Sequence, residues 1–271
     1  MPESLESYRR LHFYAGNCWR FLSQSWLQRE ISPEAASSVF GCSFGKSGWH
    51  HLRETLEEYD ANPEIDYKET TLYRFLKEFR PTSTSFMAST KVTNLTLPLF
   101  VYPWGTFRIS ETESYKDPWQ SRFCGPSSDV FVEEEFSRTI GLYKLIRRDG
   151  YLPWNYGSTF IGGTILRKEN GEERFVVLQG NHRMAVMAHL GHEMIAVRNV
   201  PGWLRIVKEV DFHKWPLVVT GCCTPEHALD VFDSFFREDG HHIRSLLLNA
   251  YSAEREIREA GDFSSYVRTS S

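Results

Sequence analysis

At 271 residues, 41% of them hydrophobic and 24% charged, the chain can bury a sizeable core as one large domain or as a core domain with extensions. Its formal net charge of −4 argues against a dedicated nucleic-acid binder, which is normally basic, and leaves room only for a local basic patch. The five cysteines show no CxxC spacing or zinc pattern, the start lacks a secretory signature, and no apolar run nears the roughly 20 residues of a bilayer span. A reduced, cytoplasmic protein with no protein-built metal site and no membrane contact is expected.

Residues 1 to 80 read as mostly helical. Residues 8–28 are rich in aromatic and apolar side chains, and Ser32-Pro33-Glu34 has the chemistry of a helix start, with Ser as cap and Pro in the first turn. Residues 31–40 read as helix. Two more amphipathic helices are predicted over 49–59 and 70–79, split by Asn62-Pro63. The polar run from Arg80 to Ser85 is a boundary or a loop. Residues 97–102 form a short strand candidate, 103–128 read as loop, and 129–148 as a helix with an approximate apolar face at Phe136, Ile140, Tyr143, Leu145 and Ile146.

Residues 160–167 and 174–179 read as paired strands, joined at Asn170-Gly171 by a two-residue turn whose two central positions both need positive φ. A short helix over 184–190, a strand over 195–200 and helices over 225–237 and 243–256 follow. The pattern is α+β: a helical extension over 1–90, a core over 91–200 and a second helical extension over 201–271. No internal repeat or low-complexity tract is present.

Gln179-Gly180-Asn181-His182-Arg183 stands where an apolar strand breaks at a glycine and opens a helix. Unpaired N–H groups, the positive end of the helix dipole and a guanidinium can there converge on an anion. Gly180 lets backbone approach the anion, and Arg183 can make paired charge-assisted bonds. His182 can donate from one ring nitrogen while a neighbour fixes the other. Without a ligand, the same residues read as a helix capped by Asn181 and a packed His182.

The segment FVVLQGNHRMAVMAHLGHEMIAVRNV, residues 175–200, resembles the second half of the ParB/sulfiredoxin-like superfamily core. That core has a strand, a D-G-[HN]-H-R loop or a variant, an alanine-rich helix, Leu-Gly and a further strand. The helix holding Leu142 to Ile146 and ending at Gly150 fits the element before it. The resemblance covers roughly 95–200, with its strong part at 160–200, and the flanking stretches match nothing.

The resemblance implies a nucleotide site, with ATP phosphates on Gly180, Asn181, His182 and Arg183 and Mg2+ bridging them. Kinase-like members also use a carboxylate after their first strand as general base. Placing that strand at 97–102 makes Glu111, Glu113 and Asp117 the candidates, with Asp117 preferred narrowly, and gives Arg122 a second phosphate-facing place. The catalytic set is then Asp117, Glu113 and His182. Solvated loop charges are the alternative reading for each carboxylate, and Glu133, Glu134 and Glu135 read as the exposed first turns of a helix. One departure matters: Gln179 stands where kinase-like members carry Asp.

Competing motifs are weaker. The stretch from Gly41 to Ser47 has three residues between its glycines where a P-loop needs four, and reads as a turn before the helix at Trp49. The adjacent pairs His50-His51 and His241-His242 cannot aim at one metal from a regular helix, so a surface or packed role is expected. Asn181 replaces the cysteine of sulfiredoxins, which disfavours that activity despite Cys124. The GERR-type loop of CTP clamps is missing.

The leading expectation is an ATP-dependent phosphotransferase acting on a small hydroxylated molecule such as a sugar or amino-acid derivative. Trp104, Trp119, Trp154 and Tyr156 are candidates for its acceptor pocket, with core packing the alternative. A non-catalytic nucleotide- or anion-sensing module is the second expectation, and a ParB-like nuclease or nucleic-acid binder the third. Oligomeric state is open.

Overall fold

The computed structural model describes residues 28–88, 97, 99–106, 123–153, 160–200 and 204–249. It is mixed α/β, with the order β1 (Gln28–Ile31), β2 (Ala36–Ser38), α1 (His51–Ala61), α2 (Thr71–Glu78), α3 (Thr84–Met87), β3 (Val101–Tyr102), β4 (Gly105–Thr106) and α4 (Asp129–Asp149). There follow β5 (Ile161–Arg167), β6 (Glu173–Gln179), α5 (Asn181–His189), β7 (Ile195–Asn199), β8 (Ile206–Lys208), α6 (Pro216–Val219) and α7 (Pro225–Arg237). Residues 241–249 are helical as well. Among the described residues no helix is long and apolar enough to cross a membrane.

The main sheet runs β1-β7-β5-β6-β2, and β8 also pairs with β5. Strand β5 is the spine. One edge meets β6 antiparallel; the other meets β7 over Ile161–Gly163 and then β8 over Ile165–Arg167, both parallel. Six of its seven residues are buried, as expected of a strand covered on both faces. Strands β1 and β2 lie before residue 90 and β8 after 200, so the sheet draws on all three stretches of the sequence.

The helix expected over 31–40 is corrected. Ser32 caps only one 3-10 turn, Pro33–Ala35, and the chain then extends as β2, parallel to β6 with Ala36 opposite Phe175. Ala36, Ser37 and Ser38 are wholly buried in that pairing, so tertiary contact overrides the helical preference of the alanines. Residues 29–31 are strand as well. The helix expected over 8–28 falls almost wholly outside the described residues.

The strand expected over 97–102 shrinks to Val101–Tyr102, which pairs with Gly105–Thr106 in a ribbon apart from the main sheet. Phe100 takes φ 62° and breaks the extended run. The β5–β6 turn also differs. Only Gly171 has positive φ, at 88°, while Gly171 N bonds the Lys168 carbonyl and Lys168 N the Glu172 carbonyl. That is a three-residue turn closed by a left-handed glycine, which leaves Asn170 an ordinary conformation.

The other expected strands and the helices over 49–59, 70–79, 129–148, 184–190 and 225–237 stand close to where the periodicity put them, although Leu145 of the expected α4 face is exposed. Helix α3 begins inside the polar run 80–85, and residues 250–256 of the last expected helix lie outside the described residues. Ser128 caps α4 by accepting from Phe131 N, and Gly150 ends it at φ 79°. Thr224 and Pro225 open α7 as cap and first residue. Helix α5 packs on α1 and α4, and α2 packs on α1 and α4. These four helices enclose the space at the end of β6.

Candidate functional site

Strand β6 ends at Gln179 and Gly180 turns the chain into α5 with φ 89° and ψ 30°, a conformation costly for any residue with a Cβ. The cap residue is Gly180 rather than Asn181, so no side chain spends itself on the helix end. The first helical bond runs from Met184 N to the Gly180 carbonyl, and the N–H groups of Asn181 and His182 precede it.

Gly180, Asn181 and His182 line a cavity of about 310 Å³. Its polar part also takes His50 and His51 from the start of α1, and Glu135 and Arg138 from α4. Its apolar part is made by Phe40, Leu52, Leu72, Leu76, Phe123 and Leu178. The volume stands at the small end of ligand pockets, roughly 300–1,000 Å³.

His182 is held at both ring nitrogens. Nε2 lies 2.8 Å from Glu135 Oε2, and Nδ1 lies 2.9 Å from Thr139 Oγ1. The Thr139 hydroxyl donates to the Glu135 carbonyl oxygen at 2.7 Å, so it accepts from Nδ1–H. The next proton lies between His182 Nε2 and Glu135. Glu135 also meets Arg138, Nη1 to Oε1 at 2.8 Å, while remaining only 6% exposed. A guanidinium and an imidazole thus flank one buried carboxylate at the mouth of a helix dipole.

Glu135 corrects the reading of Glu133–Glu135 as an exposed acidic turn. It shares the buried face of α4 with Val132, Thr139, Tyr143 and Ile146. That i, i+4, i+8, i+11 spacing was readable in the sequence as an apolar stripe with one carboxylate on it.

His50 and His51 are packed, and they also face the cavity. His50 Nδ1 accepts from Leu52 N and caps α1. Its ring stacks between Phe44 at 4.1 Å and His51 at 4.5 Å, and His51 stacks on Phe75 at 3.7 Å. Burial, reinforced by His182 and Arg53, pushes the His50 pKa down to about 3. Burial, then His50 and His182, pushes His51 well down too. Both imidazoles are neutral near pH 7. Three buried polar atoms at this cavity have no hydrogen-bond partner among the described residues: His50 Nε2, His51 Nδ1 and Asn181 Oδ1.

Arg183 does not line this cavity. Its guanidinium lies across Gly180, where a Cβ would stand 3.2 Å from Nη2 and 3.3 Å from Nε. Burial lowers its pKa, Tyr151 opposes that and Arg198 adds to it. Successive residues of a helix diverge by about 100°, which sends His182 and Arg183 to different neighbours. Asp117, Glu113, Glu111 and Arg122 lie outside the described residues, as do Trp119, Trp154 and Tyr156. Trp104 packs into aromatic core against Tyr102, Trp215, Phe232 and Phe235.

The Gly41–Ser47 loop is occupied from within: Glu34 accepts from Lys46 N at 2.6 Å and from the Ser47 hydroxyl at 3.2 Å. Cys124 is fully buried. Among the described residues no group of three or more His, Cys, Asp or Glu side chains could hold a metal ion. No family model matches the chain, and no curated protein matches it.

Proposed function

We propose that the chain is an ATP-dependent phosphotransferase of a small hydroxylated molecule, built on a ParB/sulfiredoxin-like core, with the cavity at the start of α5 as its reaction site. The observation carrying this reading is the Glu135–His182 pair, 2.8 Å apart beside the N–H groups that open a helix. Helix N-termini favour phosphate through oriented N–H groups and the dipole. Arg138, with its side chain 56% exposed, adds a cation at the rim. Glu135 is the base in this reading; the loop carboxylates Glu111, Glu113 and Asp117 lie outside the described residues.

The transfer balances simply. The acceptor hydroxyl oxygen bonds to the terminal phosphorus, the bond from that phosphorus to the bridging oxygen breaks, and ADP leaves. The hydroxyl proton passes to the Glu135–His182 pair, which Thr139 and Arg138 hold in place. Mg2+, brought on the phosphates, supplies charge neutralisation, and positioning and electrostatics supply most of the catalysis. A cavity of about 310 Å³ suits the acceptor and the terminal phosphoryl group, with the nucleoside outside it.

With ATP, Mg2+ and a pool of small alcohols, mass spectrometry should show a product heavier by one phosphoryl group. Glu135→Gln should lower its rate by about 10²–10⁴-fold, the range of general-base catalysis. Binding of ATP without any product, unchanged in Glu135→Gln, points to the second reading. That is a nucleotide-sensing module, favoured by Gln179 in place of the usual Asp and by Arg183 lying away from the cavity.

A further inference from the structure

The walls of the cavity contain more information than its Glu135–His182 end. Both faces of the His50 ring are covered, by Phe44 and His51, and its Nδ1 is committed to Leu52 N. Accepting that N–H fixes the tautomer: the proton of the neutral ring is on Nε2. The Nε2 edge is therefore what His50 offers the cavity, a donor on a residue only 1% exposed and with no partner among the described residues. Asn181 Oδ1 is an unpartnered acceptor at the same cavity. A buried polar group left unpaired is destabilising, so such groups at a cavity wall point to a ligand that pairs them.

The chemistry of that ligand follows from what surrounds these atoms. Of the three unpartnered atoms, the His50 Nε2 donor and the Asn181 Oδ1 acceptor together match a hydroxyl, which both accepts and donates, and His51 Nδ1 adds a third polar atom beside them. The two stacked histidines are neutral, so this part of the cavity offers no cation to hold a carboxylate or phosphate. Apart from the polar end at Glu135, Arg138 and His182 and the polar Ser38 and Gln179, the wall includes Phe40, Leu72, Leu76 and Phe123, and ring hydroxyls of a sugar set against that apolar stretch would lose water without replacement. An apolar cavity of about 150 Å³ holds benzene, so one of about 310 Å³ holds roughly ten to fifteen heavy atoms.

We infer that the cavity selects a small uncharged alcohol with an apolar, preferably aromatic, body, its hydroxyl recognised by His50 Nε2 and Asn181 Oδ1. This deepens the reading of the cavity as the acceptor site and narrows the acceptor away from sugars and amino acids. Binding of the alcohol needs neither nucleotide nor turnover, so the two claims can fail separately.

The test is calorimetric titration of the full chain, without nucleotide, with 3-phenylpropan-1-ol, its methyl ether, glycerol and glucose. The alcohol should bind, the ether at least about tenfold more weakly because it cannot donate to Asn181, and glycerol and glucose not measurably. His50→Asn keeps a capping side chain for α1 and removes the Nε2 donor, and should weaken the alcohol by about tenfold. Asn181→Ala, at a half-buried position, should do the same and covers the case in which His50→Asn does not fold. Equal binding of alcohol and ether, tighter binding of glycerol or glucose, or no binding of the alcohol overturns the inference. Alcohol binding in a protein that ignores ATP retains the inference and removes the phosphotransferase.

Discussion

His50 and His51 sit neutral inside a stack of aromatic rings, and that position makes the fold sensitive to acid. In the unfolded chain each takes up a proton near pH 6.5, whereas in the fold His50 does so only near pH 3 and His51 well below its ordinary value. Below pH 6.5 the unfolded state therefore binds more protons, and stability falls on acidification across the window down to about pH 3. For His50 the slope is about 1.4 kcal/mol per pH unit, so urea denaturation at pH 5 should show about 2 kcal/mol less stability from His50 than at pH 6.5, and His51 adds to the loss in the same direction. His51→Phe keeps the stack on Phe75 and should make that loss smaller. A urea midpoint that does not move between pH 7 and pH 5 contradicts their burial. At this scale the sequence was half legible. Gly180 and His182 were visible because a strand–glycine–helix junction has local chemistry, and Glu135 was hidden among two neighbouring glutamates that do face solvent.

Helix α5 depends on Gly180 for its direction. With φ at 89° and a Cβ position 3.3 Å from Ile161 Cα, Gly180→Ala should cost about 1–2 kcal/mol and shift Arg183 off the turn, read as a lower denaturation midpoint. The other end of α5 is clamped to α1 and α4. Asp60 accepts from Tyr143 at 2.8 and 2.9 Å and from His189 Nε2 at 2.8 Å. Burial alone would raise the Asp60 pKa, but the bonds from His189 and Tyr143 outweigh it and leave it lowered. Its stabilising effect is thus present above the ordinary carboxylate range and lost as pH falls through the folded pKa. Because Asp60 is 42% exposed, Asp60→Asn should cost no more than about 1 kcal/mol at pH 7. Elements with a strong period, such as α4, β5, β6 and α7, were readable from spacing alone. Strand β2 was not, because Ala36-Ser37-Ser38 has little strand propensity and becomes a strand only by pairing with β6 far along the chain.

The cavity is a property of the whole molecule. Strand β2 delivers the chain to Phe40, α1 brings the histidines, α2 brings Leu72 and Leu76, α4 brings Glu135 and Arg138, and α5 brings its N-terminus. Only the last of these carries a recognisable motif, which is why residues 179–183 stood out and their partners did not. The α+β class was legible because it rests on element types; the joining of residues 28–38 and 206–208 to one sheet was not, since long-range pairing leaves little local trace. The most direct measurement is a thermal-shift titration with ATP and Mg2+ on the full chain and on Arg138→Ala. A phosphate site at the start of α5 predicts a saturable rise in melting temperature for the full chain and a clearly smaller one for Arg138→Ala. No rise with ATP, ADP, AMP or inorganic phosphate contradicts it.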